Sequence, residues 1–498
     1  MSGIAGTRRL VRLALRRDRL QLGVWLAVLT GLLAASAAVT AGEYPTAEDR
    51  VLAAQLIASS PALLLLRGPA ADASSAALIM ADVAPIVAAL AGLMSALAVV
   101  RHTRDNEETG RAELVGSAAV GRLALPVAAL IVAASASLVL GVLFGAVLVA
   151  NDLPLDGALA AGAALAAVGA VFAGVAALAA QLTAAARAAS ALAGVAIAAA
   201  YFLRGLGDLF GTPTADGTSV TPAWPLWLSP FGWAAQMRPF DGPNWWVLAP
   251  SAALIAAVTA LALFLAARRD IGFGLIPPRR GPATADRALL SPLGLAWRLQ
   301  RGPFIGWAVG LALISAVFGS LGEQVGALAG NEQFRAILDQ LSRGQGGDLD
   351  DVFFSFVMGI VGMAATVFAV QALLVMRAEE ADGRLEPILG TAVPRSVWIG
   401  GHIAVAVLGT LTLLVLTGAS AGLAYGLVAG DVAARLAELI PAAVVQAPAV
   451  LVLAGIAVAA FGALPRLAAG LTWAAVGAAL LITFLGDVLE LPDAVRDL

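Results

Sequence analysis

Residues 101–122 read RHTRDNEETGRAELVGSAAVGR, and residues 374–395 read LVMRAEEADGRLEPILGTAVPR. The two stretches lie 273 positions apart, and each falls between two long apolar runs. Charged residues and glycine recur in them at the same spacing. The matching pairs are Arg104 and Arg377, Glu107 and Glu380, Gly110 and Gly383, Arg111 and Arg384, Glu113 and Glu386, and Arg122 and Arg395. The sequence is therefore a duplication, and the charged segment is a candidate functional element in each copy.

The composition is that of a membrane protein, with 60% hydrophobic and 13% charged residues; soluble domains carry about a quarter charged residues. Eleven stretches without Asp, Glu, Lys or Arg are long enough to be considered as spans, since about 20 apolar residues cross a bilayer core as a helix. They lie at about 20–41, 83–100, 123–151, 157–186, 188–203, 244–267, 302–322, 352–376, 396–430, 439–465 and 467–486. Two of them, 83–100 and 188–203, are short and are expected to borrow flanking residues. Period-two alternation is missing, which favours helices over barrel strands.

The placement of arginine predicts the orientation, because cytoplasmic segments of membrane proteins are rich in basic residues. Residues 1–19 hold six Arg and one Asp, and residues 268–301 hold seven Arg and two Asp. Residues 42–82 and 323–351 hold two Arg each, against five and six acids. The amino terminus, the central segment and both repeated charged segments are therefore expected in the cytoplasm.

Several classes of chemistry are excluded or unsupported by residue type. The chain has no cysteine, which rules out disulfides and thiolate metal sites, and all thirty of its basic residues are Arg. Without lysine, the phosphate-binding GxxxxGK[ST] loop cannot exist. We find no cluster of metal ligands, no nucleophile motif and no paired carboxylates, and we predict no catalysis, no metal site and no nucleic-acid partner.

A second set of matches shows that the amino-terminal segment is repeated inside the chain. Residues 13–25 correspond to residues 295–307 at an offset of 282, with Leu-Ala, two Arg and a Trp in common. A cleaved signal peptide, even of the twin-arginine type, is the alternative for the first segment. An internal copy favours a retained helix instead. Both segments, 4–19 and 290–301, are basic and amphipathic, as expected of helices at the inner membrane interface.

The matches divide the chain into a first transmembrane half at 1–267, a cytoplasmic linker at 268–289 and a second half at 290–498. With six spans per half, both halves keep one orientation and form a parallel repeat about an axis along the membrane normal. Arg187 and Asp208 match Arg466 and Asp487 at an offset of 279. The same offset places the partner of span 244–267 beyond Leu498, so the last span is absent from this sequence. We expect a truncated chain; a true eleven-span protein that ends outside is the alternative.

The repeated charged segments are interpreted as docking elements. On a helix, Arg104, Glu107 and Arg111 would share one face, and Arg377, Glu380 and Arg384 would repeat it. Residues 101–122 hold four Arg and four acids, and residues 377–395 hold three Arg and four acids; mixed charge at a fixed spacing suits an interface that selects its partner by charge. The alternative is a topogenic loop whose arginines only hold it inside. A break at Gly110 and Gly383 would change the face that Glu113 and Glu386 present.

Inside the spans the polar residues are few, and the most notable are Gln181, Gln371 and Gln446. We expect His402 to be packed in the protein and hydrogen-bonded; a role in a proton relay is the alternative. In 205–246, five Trp and six Pro cluster; membrane-interface anchoring explains them best, and substrate stacking is the alternative. A driven transporter without ion-coupling groups or a nucleotide loop must take its energy from a partner.

The chain resembles permeases of ATP-binding-cassette exporters, specifically the fused two-half polyketide-antibiotic and multidrug exporters of actinobacteria. The resemblance covers nearly the whole chain. It rests on the motifs LAWRLQR at 295–301 with Trp307, the charged segment and its copy, LSPFGW at 228–233 and RRDIG at 268–272. These motifs identify the family better than the substrate.

The resemblance implies the G-subfamily-like exporter fold, with elbow helices at 4–19 and 290–301 and coupling helices at 103–121 and 376–394. It also implies two copies of a separate cytoplasmic ATPase, which would bind ATP and Mg²⁺, one beneath each half. It places a substrate cavity between the second and fifth spans of each half, in the plasma membrane of a bacterium. The residues expected to line it are Met94, Phe172, Phe356 and Met363, and core packing is the alternative for each.

The sequence therefore predicts an all-α polytopic membrane permease, not an enzyme, that exports hydrophobic or amphipathic small molecules, antibiotics or drugs. Lipid cargo stays open, because apolar spans do not distinguish a drug from a lipid. An ion-coupled secondary transporter would need a relay such as His402 or Asp82. A non-transporting membrane scaffold or sensor would bind a partner other than an ATPase.

Overall fold

The computed structural model describes residues 3–277, 283–322 and 349–485. In these residues the regular structure is helical apart from one hairpin, in which β1 (Thr212–Pro213) pairs antiparallel with β2 (Val220–Thr221). The chain divides into two compact units, Met1–Arg280 (unit 1) and Gly281–Leu498 (unit 2). Their boundary falls within the segment 268–289 that the sequence assigns to a linker.

Unit 1 is built from long helices joined by short ones. Its helices are α1 (Thr7–Glu43), α2 (Ala47–Ser59), α3 (Pro61–Leu66), α4 (Ser75–Val100), α5 (Asn106–Glu108), α6 (Arg111–Gly116), α7 (Ala124–Ala150), α8 (Leu155–Leu182), α9 (Ala186–Leu209), α10 (Pro230–Ala235) and α11 (Leu248–Arg268). A π-helical turn, Arg101–Asp105, joins α4 to α5. Helices of the 3₁₀ type cover Trp224–Leu228 and Trp245–Val247.

Unit 2 begins with a 3₁₀ helix at Arg287–Leu290. Its α-helices are α12 (Pro292–Ser320), α13 (Leu349–Ala381), α14 (Glu386–Leu389), α15 (Arg395–Ala429), α16 (Val432–Val444), α17 (Ala447–Ala463) and α18 (Ala468–Leu485). The predicted span 439–465 is thus two helices, α16 and α17, with a break at Val445 and Gln446.

Ten helical segments of the described residues are long and apolar enough to cross a membrane, and Ala468–Leu480 forms a shorter apolar helix. The prediction of an all-α polytopic membrane protein is confirmed. The two short runs do borrow flanking residues. Helix α4 starts at Ser75, where the Ser74 hydroxyl accepts a hydrogen bond from the Ala77 N–H at 3.1 Å, and α9 extends to Leu209.

The predicted elbow helices are not separate elements. Residues 7–19 are the first turns of α1, and residues 292–301 are the first turns of α12. Arg and Leu are strong helix formers, so residues 7–19 offer no reason for the helix to stop. Gly6, at φ 86°, caps α1 in the left-handed conformation. The prediction of two short interfacial helices at 4–19 and 290–301 is therefore wrong in its boundaries.

Helix α8 is the centre of unit 1 and packs against α4, α7, α9 and α11. Its sequence is rich in Ala and Gly, which lets neighbouring backbones approach closely. A Cβ atom at Gly141 of α7 would overlap the carbonyl oxygen of Gly162, and one at Gly169 would overlap the Ser137 hydroxyl. These residues fix the α7–α8 pair, which holds α4 and its charged end in place.

Unit 2 repeats part of this packing with α15 at its centre. Helix α15 packs against α12, α13 and α16. Cβ atoms at Gly319 and Gly418 would overlap the carbonyl oxygens of Ala421 and Leu439, respectively. In each unit the first long helix therefore packs on the span that follows the charged segment, α7 in unit 1 and α15 in unit 2.

Candidate functional site

Both repeated charged segments are interrupted at their central glycine. Gly110 has φ 73° and Gly383 has φ 69°, and in both cases a short helix follows, α6 in unit 1 and α14 in unit 2. The left-handed region is readily available only to glycine. The segments 103–121 and 376–394 are therefore not single coupling helices. Each consists of the end of a long helix, a left-handed glycine and a short helix that presents its own face.

In unit 1, the first charged residue of the segment lies inside the protein. The Arg104 side chain is fully buried. Its Nε donates to the carbonyl oxygen of Ala180 at 3.0 Å, and its Nη2 donates to the same oxygen. Its Nη1 lies 2.9 Å from the Glu107 carboxylate and 3.3 Å from the carbonyl oxygen of Phe273. Arg104 thus joins α4 to the end of α8 and cannot contact a docked protein.

Glu107 is held by residues that follow α11, in a segment we call the strap (residues 269–276). Its Oε1 accepts a hydrogen bond from Arg269 Nη2 at 2.6 Å, and its Oε2 accepts from Arg269 Nη1 at 2.9 Å and from the Gly272 N–H at 3.0 Å. The Arg269 side chain is only 7% exposed. Glu107, whose side chain is 13% exposed, is therefore a largely buried carboxylate between two arginines, Arg104 and Arg269.

The strap is also bound to the end of α8. The N–H groups of Leu275 and Ile276 donate to the carbonyl oxygens of Gln181 and Leu182 at 3.0 and 2.8 Å. Gln181 Oε1 in turn accepts from Arg269 Nε at 3.0 Å. The linker predicted at 268–289 is thus, at its start, an integral part of unit 1. Sequence reasoning missed the role of Arg269, for which the signals were its position directly after a span and its place in the RRDIG motif at 268–272.

In unit 2 the same motif has a different setting. Arg377 lies 4.0 Å from Glu380, with side chains 30% and 27% exposed, and Glu380 also pairs with Arg395 at 2.8 Å. Arg384 pairs with Glu379 at 2.9 Å and with Asp382 at 2.8 Å. Glu379 is buried, Arg377 and Glu380 are half-buried, and Asp382, Arg384 and Arg395 are exposed. The same sequence motif therefore makes an internal cluster in unit 1 and a more exposed network in unit 2.

The residues after each glycine are the ones that face outward in both units. Arg111 is 53% exposed, and the Glu113 and Leu114 beside it are exposed as well. Arg384 is 56% exposed, and Glu386 is exposed too. Of the predicted docking residues, those at and beyond the glycine can therefore meet a partner in both units, whereas Arg104 and Glu107 cannot.

An apolar groove of about 280 Å³ lies beside the exposed short helix of unit 1. It runs between the first turns of α1, helix α6 and the start of α7. Leu13, Leu114 and Val115 are among its apolar residues, and Arg17 and Arg111 are among its charged residues. The groove and the exposed face of α6 form one continuous surface, which we call the α6 surface.

The first turns of α1 are tied to the charged segment by a buried ionic cluster. The Asp18 carboxylate is 2.7 Å from His102 Nε2 and 3.1 Å from Arg101 Nη1. The equivalent position in unit 2 is Gln300, whose amide is 3.1 Å from His402 Nδ1. Each histidine of the chain thus bonds the equivalent residue of the first long helix, which is a carboxylate in unit 1 and an amide in unit 2.

The four residues predicted to line a substrate cavity have two different environments. Met94 and Phe172 are 1% and 2% exposed and belong to the packed core of unit 1. The Phe172 ring lies 5.2 Å from that of Phe231. Phe356 is 40% exposed, and Met363 is half-buried. The first two positions match core packing, and the latter two present surface on α13.

The tryptophan cluster lies at the opposite end of unit 1 from the charged segment. Trp224 is 73% exposed, and Trp227 stacks on Trp246 with ring centroids 5.4 Å apart. Trp233 Nε1 donates to the carbonyl oxygen of Trp227 at 2.7 Å. Exposed, stacked indoles are the arrangement expected of residues that anchor a protein at a membrane interface. Among the described residues, no group of three or more His, Cys, Asp and Glu could hold a metal ion.

These features define a polytopic helical membrane protein with a charged, glycine-broken segment in each of two units. A family model described as the C-terminal domain of the multidrug efflux system permease Rv1217c matches residues 289–498. The multidrug efflux system permease protein Rv1217c of Mycobacterium tuberculosis (strain ATCC 25618 / H37Rv) is 39% identical over 499 residues, which cover 100% of this chain and 88% of that protein. The chain belongs to this family of multidrug efflux permeases, and the resemblance to exporter permeases is confirmed.

Proposed function

We propose that this chain is the membrane permease of an ATP-driven exporter of hydrophobic or amphipathic small molecules. The observation that carries the proposal is the short charged helix that follows a left-handed glycine at the same place in both units. A duplicated exposed helix suits a partner that binds twice. The similarity to a multidrug efflux permease supports drugs or antibiotics as the cargo.

The partner we propose is a cytoplasmic ATPase present in two copies, one on each exposed short helix. The permease has no lysine and therefore no phosphate-binding loop of the GxxxxGK[ST] type. ATP and Mg²⁺ would be bound by the partner. The α6 surface offers what a specific interface needs, namely an apolar centre at Leu114 with charges of both signs, Arg111 and Glu113, around it.

The strap gives the proposed coupling a physical route in unit 1. A force on α6 reaches the charged end of α4, because only Thr109 and Gly110 separate α6 from α5. Glu107 passes that force to the end of α11 through Arg269, and Arg104 passes it to α8. Packed helices with buried ionic contacts move together, so the docked ATPase would displace α4, α8 and α11 as one group.

The orientation we propose places the charged segments and the amino terminus in the cytoplasm of a bacterial cell. It rests on the excess of arginine in residues 1–19. The opposite end, with α2, α3 and the exposed tryptophans, would face outward.

The rival functions find less support in the described residues. An ion-coupled transporter would need an ionisable relay, yet Asp82 is paired with Arg67 at 2.6 Å, and His402 contacts Gln300 and the Trp398 ring. A non-transporting scaffold would have no use for the duplicated short helix, nor for the buried charges that join the short helix of unit 1 to its spans. Both remain outcomes of the test below.

The first test is a mild-detergent pull-down of the tagged full chain from its native host, with partners identified and counted by mass spectrometry. We expect one soluble ATPase with a phosphate loop, at two copies per permease. Recovery of the chain alone from membranes that still transport would move the function to the ion-driven class. Recovery of a different partner without flux would support the scaffold.

The docking surfaces are tested in the same assay with charge reversals. Arg111→Glu and Arg384→Glu should each remove about one ATPase copy, and the double variant should remove both. Arg111→Lys and Arg384→Lys keep the charge and are the matched controls. Retention of two copies in the double variant, with the protein still folded and in the membrane, would refute docking at these helices.

A further inference from the structure

The first turns of α1 carry five exposed arginines on one side of the helix. They are Arg8, Arg9, Arg12, Arg16 and Arg19, and we call them the arginine face. Their spacings of three, four and seven residues place them on one side of an α-helix. The buried residues of the same stretch, Ala14, Asp18 and Leu22, follow one another at spacings of four and lie on another side. The arginine face therefore points away from the packed interior of unit 1.

The charge of the arginine face is not balanced by the protein. Asp18 is the one acid in residues 1–19, and it lies on the protein side, 2.7 Å from His102 and 3.1 Å from Arg101. Asp105 pairs at 3.9 Å with Arg17, which does not belong to the arginine face. In the described part of the chain, no carboxylate lies within ion-pair distance of any of the five arginines. Five uncompensated positive charges on one face suit a partner that carries anionic groups.

An exposed apolar face begins beside these arginines and continues along α1. Leu13, Leu20 and Val24 are 59%, 76% and 62% exposed, and their spacings of seven and four residues place them on one side of the helix. The segment Thr7–Thr40 is long and apolar enough to cross a membrane. Residues 12–19 cover about 10 Å along the helix axis, and long arginine side chains reach from an apolar level to the headgroups of a bilayer. The two faces therefore offer a phospholipid contacts for its headgroup and for its acyl chain.

Unit 2 retains only part of this face. At the offset of 282, Arg16 and Arg19 correspond to Arg298 and Arg301, whereas Arg8, Arg9 and Arg12 correspond to Leu290, Ser291 and Gly294. A Cβ atom at Gly294 would overlap the carbonyl oxygen of Ala288, so this position has no room for an arginine. The complete arginine face is thus a property of unit 1, and α12 provides an internal comparison.

We propose that the arginine face of α1 binds the headgroups of anionic phospholipids, such as phosphatidylglycerol, in the leaflet where α1 enters the membrane. Arginine suits this partner because its planar guanidinium group binds phosphate oxygens through two parallel hydrogen bonds. Clusters of four to eight basic residues next to a span are typical of segments that bind anionic lipids. A zwitterionic headgroup has no net charge and should bind less. The proposal requires that α1 is a span, and it requires no ATPase.

The test uses the full chain in lipid nanodiscs without an ATPase. Because the chain has no cysteine, Leu20→Cys provides a single site for bimane, a small uncharged fluorophore. The probes are phosphatidylglycerol and phosphatidylcholine with the same acyl chains and a nitroxide at carbon 5 of one chain, which quenches bimane at short range. The ratio of the two quenching efficiencies measures the local preference for the anionic lipid. We expect phosphatidylglycerol to be preferred at this site.

Arginine variants test which residues produce the preference. The triple variant Arg12→Gln, Arg16→Gln and Arg19→Gln should lower it about fivefold or more, because one arginine near an anionic membrane surface contributes about fivefold in affinity. Lysine at the same three positions keeps the charge and is the matched control. Arg187→Gln is a second control, because it removes an exposed arginine from the start of α9, which contacts Glu108 of the charged segment. Each variant is accepted only if it elutes as a single monodisperse peak.

Three measurements need no arginine variant. Bimane on Gly302→Cys, the equivalent residue of α12, should report a preference about fivefold weaker, since three of the five arginines are missing there. Raising the salt from about 0.01 to 1 M should reduce the preference at residue 20, because the Debye length falls from roughly 30 to 3 Å. Free inorganic phosphate, added at constant ionic strength, should leave the preference unchanged.

Four results would overturn the proposal. Equal quenching by the two lipids at residue 20 would leave the arginine face to a soluble acidic partner. An unchanged preference in the folded triple glutamine variant, or equal preferences at residues 20 and 302, would separate lipid binding from these arginines. A preference abolished by phosphate would identify a free anion as the ligand. None of these results bears on ATP-driven export, and failure to find an ATPase would leave the lipid contact untouched.

Discussion

Replacement of Glu107 by Gln should destabilise the protein far more than the same change at Glu380. Glu107 lies between Arg104, which is fully buried, and Arg269, which is 7% exposed. Glu→Gln keeps the shape and removes the charge, so two guanidinium groups would stay buried without a carboxylate. Breaking a buried ion pair by removing one partner costs about 3–5 kcal/mol.

The matched change, Glu380→Gln, removes a carboxylate that pairs with two arginines, one half-buried and one exposed. Arg377 is 30% exposed and Arg395 is 52% exposed. Ion pairs that reach solvent contribute about 0–1 kcal/mol. These two glutamates hold the same place in the sequence repeat, so the difference of about 2–5 kcal/mol comes from their surroundings alone.

The assay is thermal unfolding of the purified full chain in one detergent, at a fixed scan rate. In domains of 150–250 residues, about 1 kcal/mol shifts the midpoint by roughly 2–4 °C. We expect Glu107→Gln to lower the midpoint of unit 1 by about 6 °C or more, and Glu380→Gln to change that of unit 2 by at most about 4 °C. Arg269→Gln in the Glu107→Gln background should not add the full loss seen for Arg269→Gln alone, because the two residues interact. Equal shifts for the two glutamate variants would refute the reasoning.

Three further predictions concern other parts of the chain. Gly110→Ala and Gly383→Ala should each lower the free energy of unfolding by about 1–2 kcal/mol, because each forces an alanine into a left-handed conformation. Apart from the glycine and its two chain neighbours, no atom of the described residues lies within 4 Å of the position that a Cβ would take at either site, so calorimetry should show similar losses of stability. A clearly larger loss at one site would point to a steric cause instead. Asp18→Asn should lower the unfolding midpoint of unit 1 by leaving His102 beside Arg101 without a carboxylate, whereas Asp18→Glu should recover part of the loss; an unchanged midpoint would contradict the role of the cluster. Hydrogen bonds from Thr214 and Thr218 lower the pKa of Asp216 from its ordinary value of 3.8 to about 2. The ionised carboxylate therefore stabilises the turn above pH 3.8, and this contribution is lost as the pH falls through about 2. Hydrogen exchange of the Thr218 amide, relative to its intrinsic rate, should become faster over that range only.

The spans and the duplication could be predicted because they depend on short stretches of sequence. Charge-free runs locate helices in a membrane protein wherever they pack, and a repeated motif at a fixed offset needs no structure to be seen. The interruptions at Gly110 and Gly383 were also within reach, since glycine is the residue that adopts a positive φ most readily. These features are local.

The settings of the two charged segments could not be predicted from the motif. Arg104 and Glu107 are internal because the strap, more than 160 residues further along the chain, lies over them. The sequence of the charged segment alone does not show which distant segment covers it. The continuity of α1 and α12 was missed for a related reason. Amphipathic, arginine-rich turns suit an interfacial helix and the start of a span equally well. The contacts that distinguish the two are Asp18 with His102 in α1 and Gln300 with His402 in α12.

The lining of the proposed substrate cavity was the weakest part of the sequence reasoning. Met94 and Phe172 are large apolar residues in spans, and such residues fill cores as readily as they line cavities. Arg204, which follows the charge-free run 188–203 and is buried near the end of α9, was not among the predicted residues. Its partners, the carbonyls of Leu65 and Leu66, are backbone atoms and leave no mark in a sequence.

The strap also decides where this polypeptide can be divided. A gene split that ended the first product at Arg268, where α11 ends, would remove Arg269 and leave Glu107 facing one arginine instead of two. A split at residues 283–286 would keep the strap with the first product and the 3₁₀ helix at Arg287–Leu290 with the second. Two-gene expression, inserted reporters and protease sites should therefore be tolerated at 283–286 and harmful within 269–276, so the first half is complete as a folding unit only some eight residues after its last helix.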